Sequence, residues 1–475
     1  MTTLRSLLPS DWSVQREGMW VFGVPPPSEA TRRTRALTQG FKIHVSATPD
    51  DAVRALEAIV PQLGRAGIDF KIVGDPDLHY TLQSKRYPRG ASGKFMTIYP
   101  PDDDSFARLL IELEHSTEHL GLTGPRILSD RQYGTTGVLF YRYGGFWPPQ
   151  RVTLDGTRET YLISPTGDYV PDIRLPYHQL PAWVSDPFMH DQSRPPHDEV
   201  LLDGRFQIDE ALTFSNAGGV YAGVDTVTSE PVVIKEARPH TNCWRSGELA
   251  GDAVSLIERE FMILEKLKGL EFVPAGIALL ESGGHLFLVQ ARVDGRRIRT
   301  DWARDEVIVS PYVRNSARVR SWSTRFKTTA VALIDMVLRV HERGVLIGDL
   351  SADNVLKNPE DGRMWMIDFE SATVDTDSCE QKRFAAMWAT PGFKHPARDI
   401  RKTLVPEDDF YALGMVLACA LMAVSYFSLD PSALPRFLDE FVRHGIPPEV
   451  RHVIAALVDG DVVAACDMLS DWQPE

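Results

Sequence analysis

Cysteine is scarce in this chain. It occurs four times in 475 residues, as Cys243, Cys379, Cys419 and Cys466. None lies in a CxxC pair and no Cys/His set has zinc spacing, so neither a zinc framework nor a disulfide scaffold is expected. Free thiols in a reducing cytosol are the simple reading. A signal peptide is lacking too, because "MTTLRSLLPSDW" has no long apolar core. The most apolar run, "ALGMVLACALMAVSYF" (412–427), is short of a membrane span and reads as a buried helix. There is no internal repeat and no low-complexity tract. Positive charge is in deficit, with a net charge of −14, which argues against a nonspecific nucleic-acid binder. Neither nucleic acid nor a membrane is therefore an expected partner.

What is present is ordinary in bulk and uneven in detail. Hydrophobic residues make up 43% and charged residues 24%, and the length allows two or three domains. Residues 71–94 carry Lys71, Lys85, Arg86, Arg89 and Lys94 against only Asp75 and Asp77. A local basic patch in an acidic protein suggests a small anionic group as guest.

The pattern along the chain predicts an α+β fold in two parts. Residues 49–67 and 105–121 have helical apolar spacing, with Gly67 and Gly121 as stops and Ser105 as a cap. Strands are expected at 41–46, 69–73, 94–99 and 137–142. Residues 1–150 are expected to form one domain. A proline-rich connector, 151–202, is expected to pack on its neighbours. Residues 203–475 read as a second domain, with a strand-rich small lobe to about 300 and a helical large lobe beyond.

The second part carries phosphoryl-transfer signals. "GDLSADNVL" (348–356) precedes "MWMIDFE" (364–370), so Asp349, Asn354 and Asp368 fall on a loop, five residues later, and after an apolar strand. Phosphoryl transfer needs a carboxylate at the attacking hydroxyl and oxygen ligands for Mg²⁺. This pattern resembles the catalytic and metal-binding loops of eukaryotic-type protein kinases. By that resemblance Asp349 is the catalytic carboxylate, and Asn354 and Asp368 hold Mg²⁺. "SNAGGVYAG" (215–223) then resembles the glycine-rich loop, with Gly218 and Gly219 close to phosphate. "PVVIKEA" (231–237) supplies Lys235 for the phosphates. The amphipathic helix 255–270 offers Glu260 as the partner of Lys235, with Glu258 as rival. "ATPGFKHP" (389–396) and "DFYALG" (409–414) resemble the end of the activation segment and the start of the central helix, where Asp409 braces the catalytic loop. ATP or another nucleoside triphosphate, with Mg²⁺, is the implied cofactor set.

Four departures from the kinase pattern stand out. Ile347-Gly348 replaces the usual His-Arg, Ser351 the catalytic-loop lysine and Glu370 the glycine after the metal-binding motif. No glutamate closes the activation segment after Pro396. Switching by loop phosphorylation is accordingly not expected. Small-molecule kinases also carry Gly-Asp loops of this type.

The first part holds a different chemistry. In "GFKIHVSATP" (40–49), Lys42 and His44 are two apart on a predicted strand, hence side by side on one face. Lys85, Lys94, Arg131 and Arg142 lie near strand ends or turns, and a phosphate is the natural guest for such donors. A base, an acid and a phosphate clamp suit β-elimination from phosphoserine or phosphothreonine, with no metal required. The stretches "GFKIHVSATP", "SKRYPRGASGKFMTIYP", "ILSDRQY" and "YRYGGF" resemble the lyase domain of class III and class IV lanthipeptide synthetases, related to phosphothreonine lyases. The resemblance implies Lys42 as base, His44 as acid, and Lys85, Lys94, Arg131 and Arg142 as phosphate ligands, with Tyr99 helping to position the substrate. It implies a bacterial, cytoplasmic dehydratase that phosphorylates Ser/Thr of a precursor peptide bearing a leader and then eliminates phosphate. About sixty residues follow "DFYALG", too few for the family's cyclase domain, so the expectation is that a separate cyclase acts later, that the dehydrated peptide is used differently, or that the chain is a truncated form. The alternatives are a peptide or small-molecule kinase whose N-terminal half only binds phosphate.

Overall fold

The computed structural model describes residues 2–28, 37–188, 201–303, 316–428 and 430–474. Two principal hydrophobic cores divide it, one built from residues 4–141 and one from residues 217–472.

The N-terminal half is a seven-stranded antiparallel sheet backed by helices. Its strands are β1 (Ser13–Glu17), β2 (Trp20–Val24), β3 (Gln39–Val45), β4 (Phe70–Val73), β5 (Met96–Ile98), β6 (Arg131–Gln132) and β7 (Leu139–Gly145), in the spatial order β1-β2-β4-β5-β3-β7-β6. Helices α1 (Ala52–Ala66) and α3 (Asp103–Thr117) cover one face, and α2 (Pro76–Gln83) follows β4. Alternation along β3 turns Phe41, Ile43 and Val45 into the core, where Phe41 stacks on Phe106 of α3 at 4.7 Å. Gly67 ends α1 in the left-handed conformation, as its lack of a Cβ allows. The cap of α3 is Asp102 rather than Ser105. The Asp102 carboxylate accepts the Ser105 backbone N–H at 2.8 Å, and α3 ends at Thr117, before Gly121.

The proline-rich stretch folds in part as a meander. β8 (Gln150–Val152), β9 (Arg158–Ile163) and β10 (Tyr169–Pro171) pair in that order, and residues 172–188 then return to the first sheet.

The second half has the two lobes of a protein kinase. β11 (Leu201–Leu202), β12 (Phe206–Phe214), β13 (Gly219–Asp225), β14 (Pro231–Ala237), β15 (Gly276–Ser282) and β16 (His285–Ala291) form one antiparallel sheet in the order β11-β12-β13-β14-β16-β15. Helix α4 (Ala253–Lys266) opens with a capping box between Asp252 and Ser255 and packs on that sheet. Helices α5 (Ser316–Glu342) and α6 (Pro406–Ala418) build the large lobe, and the hairpin β17 (Val355–Lys357) and β18 (Met364–Met366) precedes Asp368. The first part of the apolar run at 412–427, through Ala418, is buried in α6, and the helix ends there rather than running the length of the stretch. Among the described residues no helix is long and apolar enough to cross a membrane.

Candidate functional site

Two sites face different parts of the molecule. The first lies on the face of the N-terminal sheet turned away from the helices. Register places Lys42 beside Arg142 and His44 beside Thr97, and Lys71 of β4 also pairs with Thr97. Lys71, Thr97 and His44 therefore form one row across the sheet, with Lys42 and Arg142 in the next. Gly144 makes room, since a Cβ there would stand 3.2 Å from Lys42 Cε and 3.3 Å from Arg142 Cζ. Lys94 comes from the loop before β5.

Most polar groups in this cluster have a partner, while Arg142 Nη1 is buried without one. His44 Nδ1 bonds the Asp130 carboxylate, and Lys94 Nζ reaches the other oxygen of Asp130 at 3.4 Å. Lys42 Nζ donates to the Gly145 carbonyl at 2.7 Å. Arg142 is paired with Asp172, from the end of the meander. The electrostatics favour an anion. Burial, with Arg142 next, drives the Lys42 amine well below its usual range. Burial lowers Lys94 to about 8 although Asp130 pulls it upward. Lys71 falls to about 8, first through burial and then through Arg174. Burial holds His44 down to about 3, with Asp130 opposing. Burial would raise Asp130, but Lys94 and His44 outweigh it and keep its carboxylate well below the usual range. Arg174 acts on Lys42, Lys71, Lys94 and Tyr99, so its charge lies over the same face. Lys42, Lys94, Arg142 and Arg174 thus gather around Asp130 and Asp172, an arrangement ready for a phosphate, while Lys71 Nζ lies over the Trp20 ring at 4.3 Å.

Two predicted phosphate ligands are elsewhere. Arg131 pairs with Tyr141 in register, on the helix-packed face where Tyr141 meets Phe106, and its guanidinium binds Asp186 at 3.1 Å. Consecutive residues of a strand point to opposite sides, so Asp130 took the face that Arg131 was expected to occupy. Lys85 is not on this sheet face either. Its Nζ meets Glu370 at 2.8 Å in the second site. The residues missed from sequence are Lys71, Asp130, Asp172 and Arg174. The first two stood in quoted or basic stretches, whereas the last two lie in the proline-rich segment without any local signal.

The second site is a cleft of about 620 Å³ between the lobes, lined by Gly218, Gly219, Lys235, Glu260, Asn354 and Asp368 among others. Lys235 of β14 binds both oxygens of Glu260 at 2.7 and 2.9 Å and Asp368 at 3.1 Å. Burial alone would lower Lys235, but Asp368 and Glu260 raise it. Gly218 sits where only a hydrogen fits, because a Cβ would lie 1.8 Å from the Glu236 carbonyl. Asn354 Nδ2 donates to the Asp349 carbonyl at 3.0 Å, and the Asp349 carboxylate accepts the Thr390 N–H at 2.6 Å. Asp409 accepts the N–H groups of Ile347 and Gly348 at 2.8 and 2.9 Å, bracing the loop that carries Asp349. Arg398, missed from sequence, donates to the carbonyls of Gly348, Ala385, Ala386 and Trp388 and ties that loop to the following segment. Among the described residues no group of three His, Cys, Asp or Glu is placed to hold a metal by itself. Mg²⁺ takes one or two protein oxygens and completes its shell with phosphates and water. Asn354 and Asp368 are the residues that would hold it.

Comparison with known proteins matches both halves. Residues 1–200 match the family model described as RamC, N-terminal domain. The chain is 34% identical over 422 residues to a probable SapB synthase of Streptomyces coelicolor, covering 88% of this chain and 43% of that protein. Its RamC-type half is followed by a kinase-like half. The chain is 22% identical over 268 residues to serine/threonine-protein kinase PknA of Nostoc sp., covering 55% of this chain and 44% of the kinase. It is 24% identical over 227 residues to serine/threonine-protein kinase B of Synechocystis sp., covering 46% and 37%. The chain thus spans less than half the length of each of these relatives. The resemblance to the lyase–kinase portion of class III and class IV lanthipeptide synthetases stands with these matches.

Proposed function

We propose that this chain dehydrates Ser and Thr of a peptide in two steps, phosphorylation in the kinase-like cleft and elimination of phosphate on the RamC-type sheet face. The observation that carries the reading is the cation cluster around the His44–Asp130 pair, in a chain that also holds the Lys235–Glu260–Asp368 constellation. A nucleoside triphosphate with Mg²⁺ supplies the phosphoryl group. Asp349 accepts the hydroxyl proton, and Lys235 with Gly218 and Gly219 holds the phosphates.

For elimination, a base removes the Cα proton, the electron pair forms the Cα=Cβ bond, and the Cβ–O bond to phosphate breaks. Two amines share the face. Lys71, near 8, is matched to a base working close to neutral pH. Its row places it two strand spacings from His44, about 9.6 Å between backbones; its Nζ rests over the Trp20 ring at 4.3 Å, so its flexible stem must swing from there to the Cα proton. Lys42 donates to Gly145 and adjoins Arg142, which suits anchoring the phosphate. This moves the base from Lys42, the sequence expectation, to Lys71. His44 protonates the departing oxygen. Its surroundings hold it neutral, so the arriving phosphate dianion must raise its affinity for a proton while Asp130 orients the ring. Lys94, Arg142 and Arg174 bind the phosphate. The product is dehydroalanine or dehydrobutyrine in a precursor peptide.

The test is intact mass measurement of a Ser/Thr-rich candidate precursor incubated with the chain, Mg²⁺ and a nucleoside triphosphate. A synthetic phosphoserine peptide serves as the second substrate. Loss of water with the unaltered chain, and accumulation of phosphopeptide with Lys71→Ala or His44→Ala, is the expected result. Phosphopeptide accumulating with the unaltered chain as well would sink the elimination step.

A further inference from the structure

Lys85 is an N-terminal residue inside the kinase-like cleft. The segment that carries it, from the end of α2, is pinned to the glycine-rich turn. The Asn216 N–H donates to the Lys85 carbonyl at 3.3 Å, and Asn216 Nδ2 donates to the Ser84 carbonyl at 3.1 Å. The Asn242 N–H donates to the Gln83 carbonyl at 2.6 Å, and Asn242 Oδ1 accepts the Lys85 N–H at 3.1 Å. Asn216 is buried, so these bonds are shielded from water. Beyond them Lys85 Nζ reaches Glu370, and Lys85, Glu370, Gly218, Lys235 and Asp368 all line one cleft.

The charges explain why a lysine is needed there. Glu260, Asp368 and Glu370 stand in the cleft against Lys235 and Lys85. Lys235 is already engaged by Glu260 and Asp368. Glu370 sits where the kinase pattern has glycine, and its carboxylate would repel a triphosphate. Lys85 neutralises Glu370, and its flexible stem can turn the ammonium from that carboxylate to a phosphate oxygen. We propose that Lys85 binds the phosphates of the nucleotide in the phosphoryl-transfer site, supplied by the RamC-type half, while residues 83–85 hold the glycine-rich turn in place. The inference rests on the phosphoryl-transfer reading above. It makes the kinase site incomplete without the N-terminal half and removes Lys85 from the elimination site.

The experiment uses the full chain and compares Lys85→Met and Lys85→Arg with the unaltered protein. The side chain is about half exposed, so neither change threatens the fold. Affinities for Mg-ATP and for adenosine are measured by calorimetry, and phosphate release from a synthetic phosphoserine peptide is followed in parallel. Lys85→Met is expected to weaken Mg-ATP at least tenfold, leave adenosine unchanged and leave elimination intact, with Lys85→Arg restoring most of the loss. Unchanged Mg-ATP affinity would overturn the proposal. So would loss of elimination with Mg-ATP binding retained, which would return Lys85 to the phosphate clamp. If the unaltered chain binds no Mg-ATP, the phosphoryl-transfer reading fails and the proposal with it.

Discussion

Replacing Asp130 by asparagine tests the proposed elimination site at its centre. The Asp130 side chain is fully buried and bonded to His44, while Lys94 and Ser129 meet its second oxygen. Asparagine keeps the volume, so no cavity forms and the effect is one of charge. Removing one partner of a buried ion pair costs about 3–5 kcal/mol when the other charge is stranded. Here the cost is expected toward the lower figure, because Lys94 is already near 8 and can shed its proton. His44 loses the group that raises its proton affinity and fixes its ring, so the imidazolium becomes still harder to form at neutral pH. Losing the orienting carboxylate of a catalytic His–Asp pair lowers the rate about 10⁴-fold in the best-characterised case, and a drop of that order is expected. The assay is phosphate release from a synthetic phosphoserine peptide, with phosphorylation of an unmodified peptide as internal control. Elimination at the unaltered rate, with the same pH profile, would refute the role given to the His44–Asp130 pair.

Elimination should rise with pH through about 8 as the Lys71 amine loses its proton, and level off above that; a profile flat from pH 6 to 9 would return the base to a group titrating elsewhere, Lys42 first. Gly218→Ala drives a methyl group into the Glu236 carbonyl, so the turn must move and Mg-ATP affinity should fall at least tenfold, measured by calorimetry. Arg398→Ala leaves four carbonyls without their donor, at about 1–3 kcal/mol for each that water cannot reach. Phosphorylation should be lost and the large lobe should unfold at lower denaturant in a urea titration, while elimination from the phosphopeptide persists. Lys235→Met leaves Glu260 and Asp368 facing each other without their shared cation, and should abolish phosphorylation while sparing elimination.

The sequence by itself determined many of the elements and which chemistry-bearing residues sit on them. Alternation in "GFKIHVSATP" put Lys42 and His44 on one face, and "PVVIKEA", "GDLSADNVL" and "MWMIDFE" lie in the structure on the strand and loops that the motifs implied. These are local signals, readable because side-chain direction follows the two-residue period of a strand and because loop residues hold fixed spacings. What only the tertiary structure decided was register and docking. Lys71 joins His44 because β4 and β3 both pair with β5, a fact that no local pattern contains. Asp130 rather than Arg131 faces the cluster because one residue of register exchanges the two sides of a sheet. Asp172 and Arg174 reach the same face from a proline-rich stretch without periodicity, carried there by the meander. Lys85 looked like its neighbours in a basic run. It enters the other site because hydrogen bonds from Asn216 and Asn242 to residues 83–85 tie the two hydrophobic cores' halves together there.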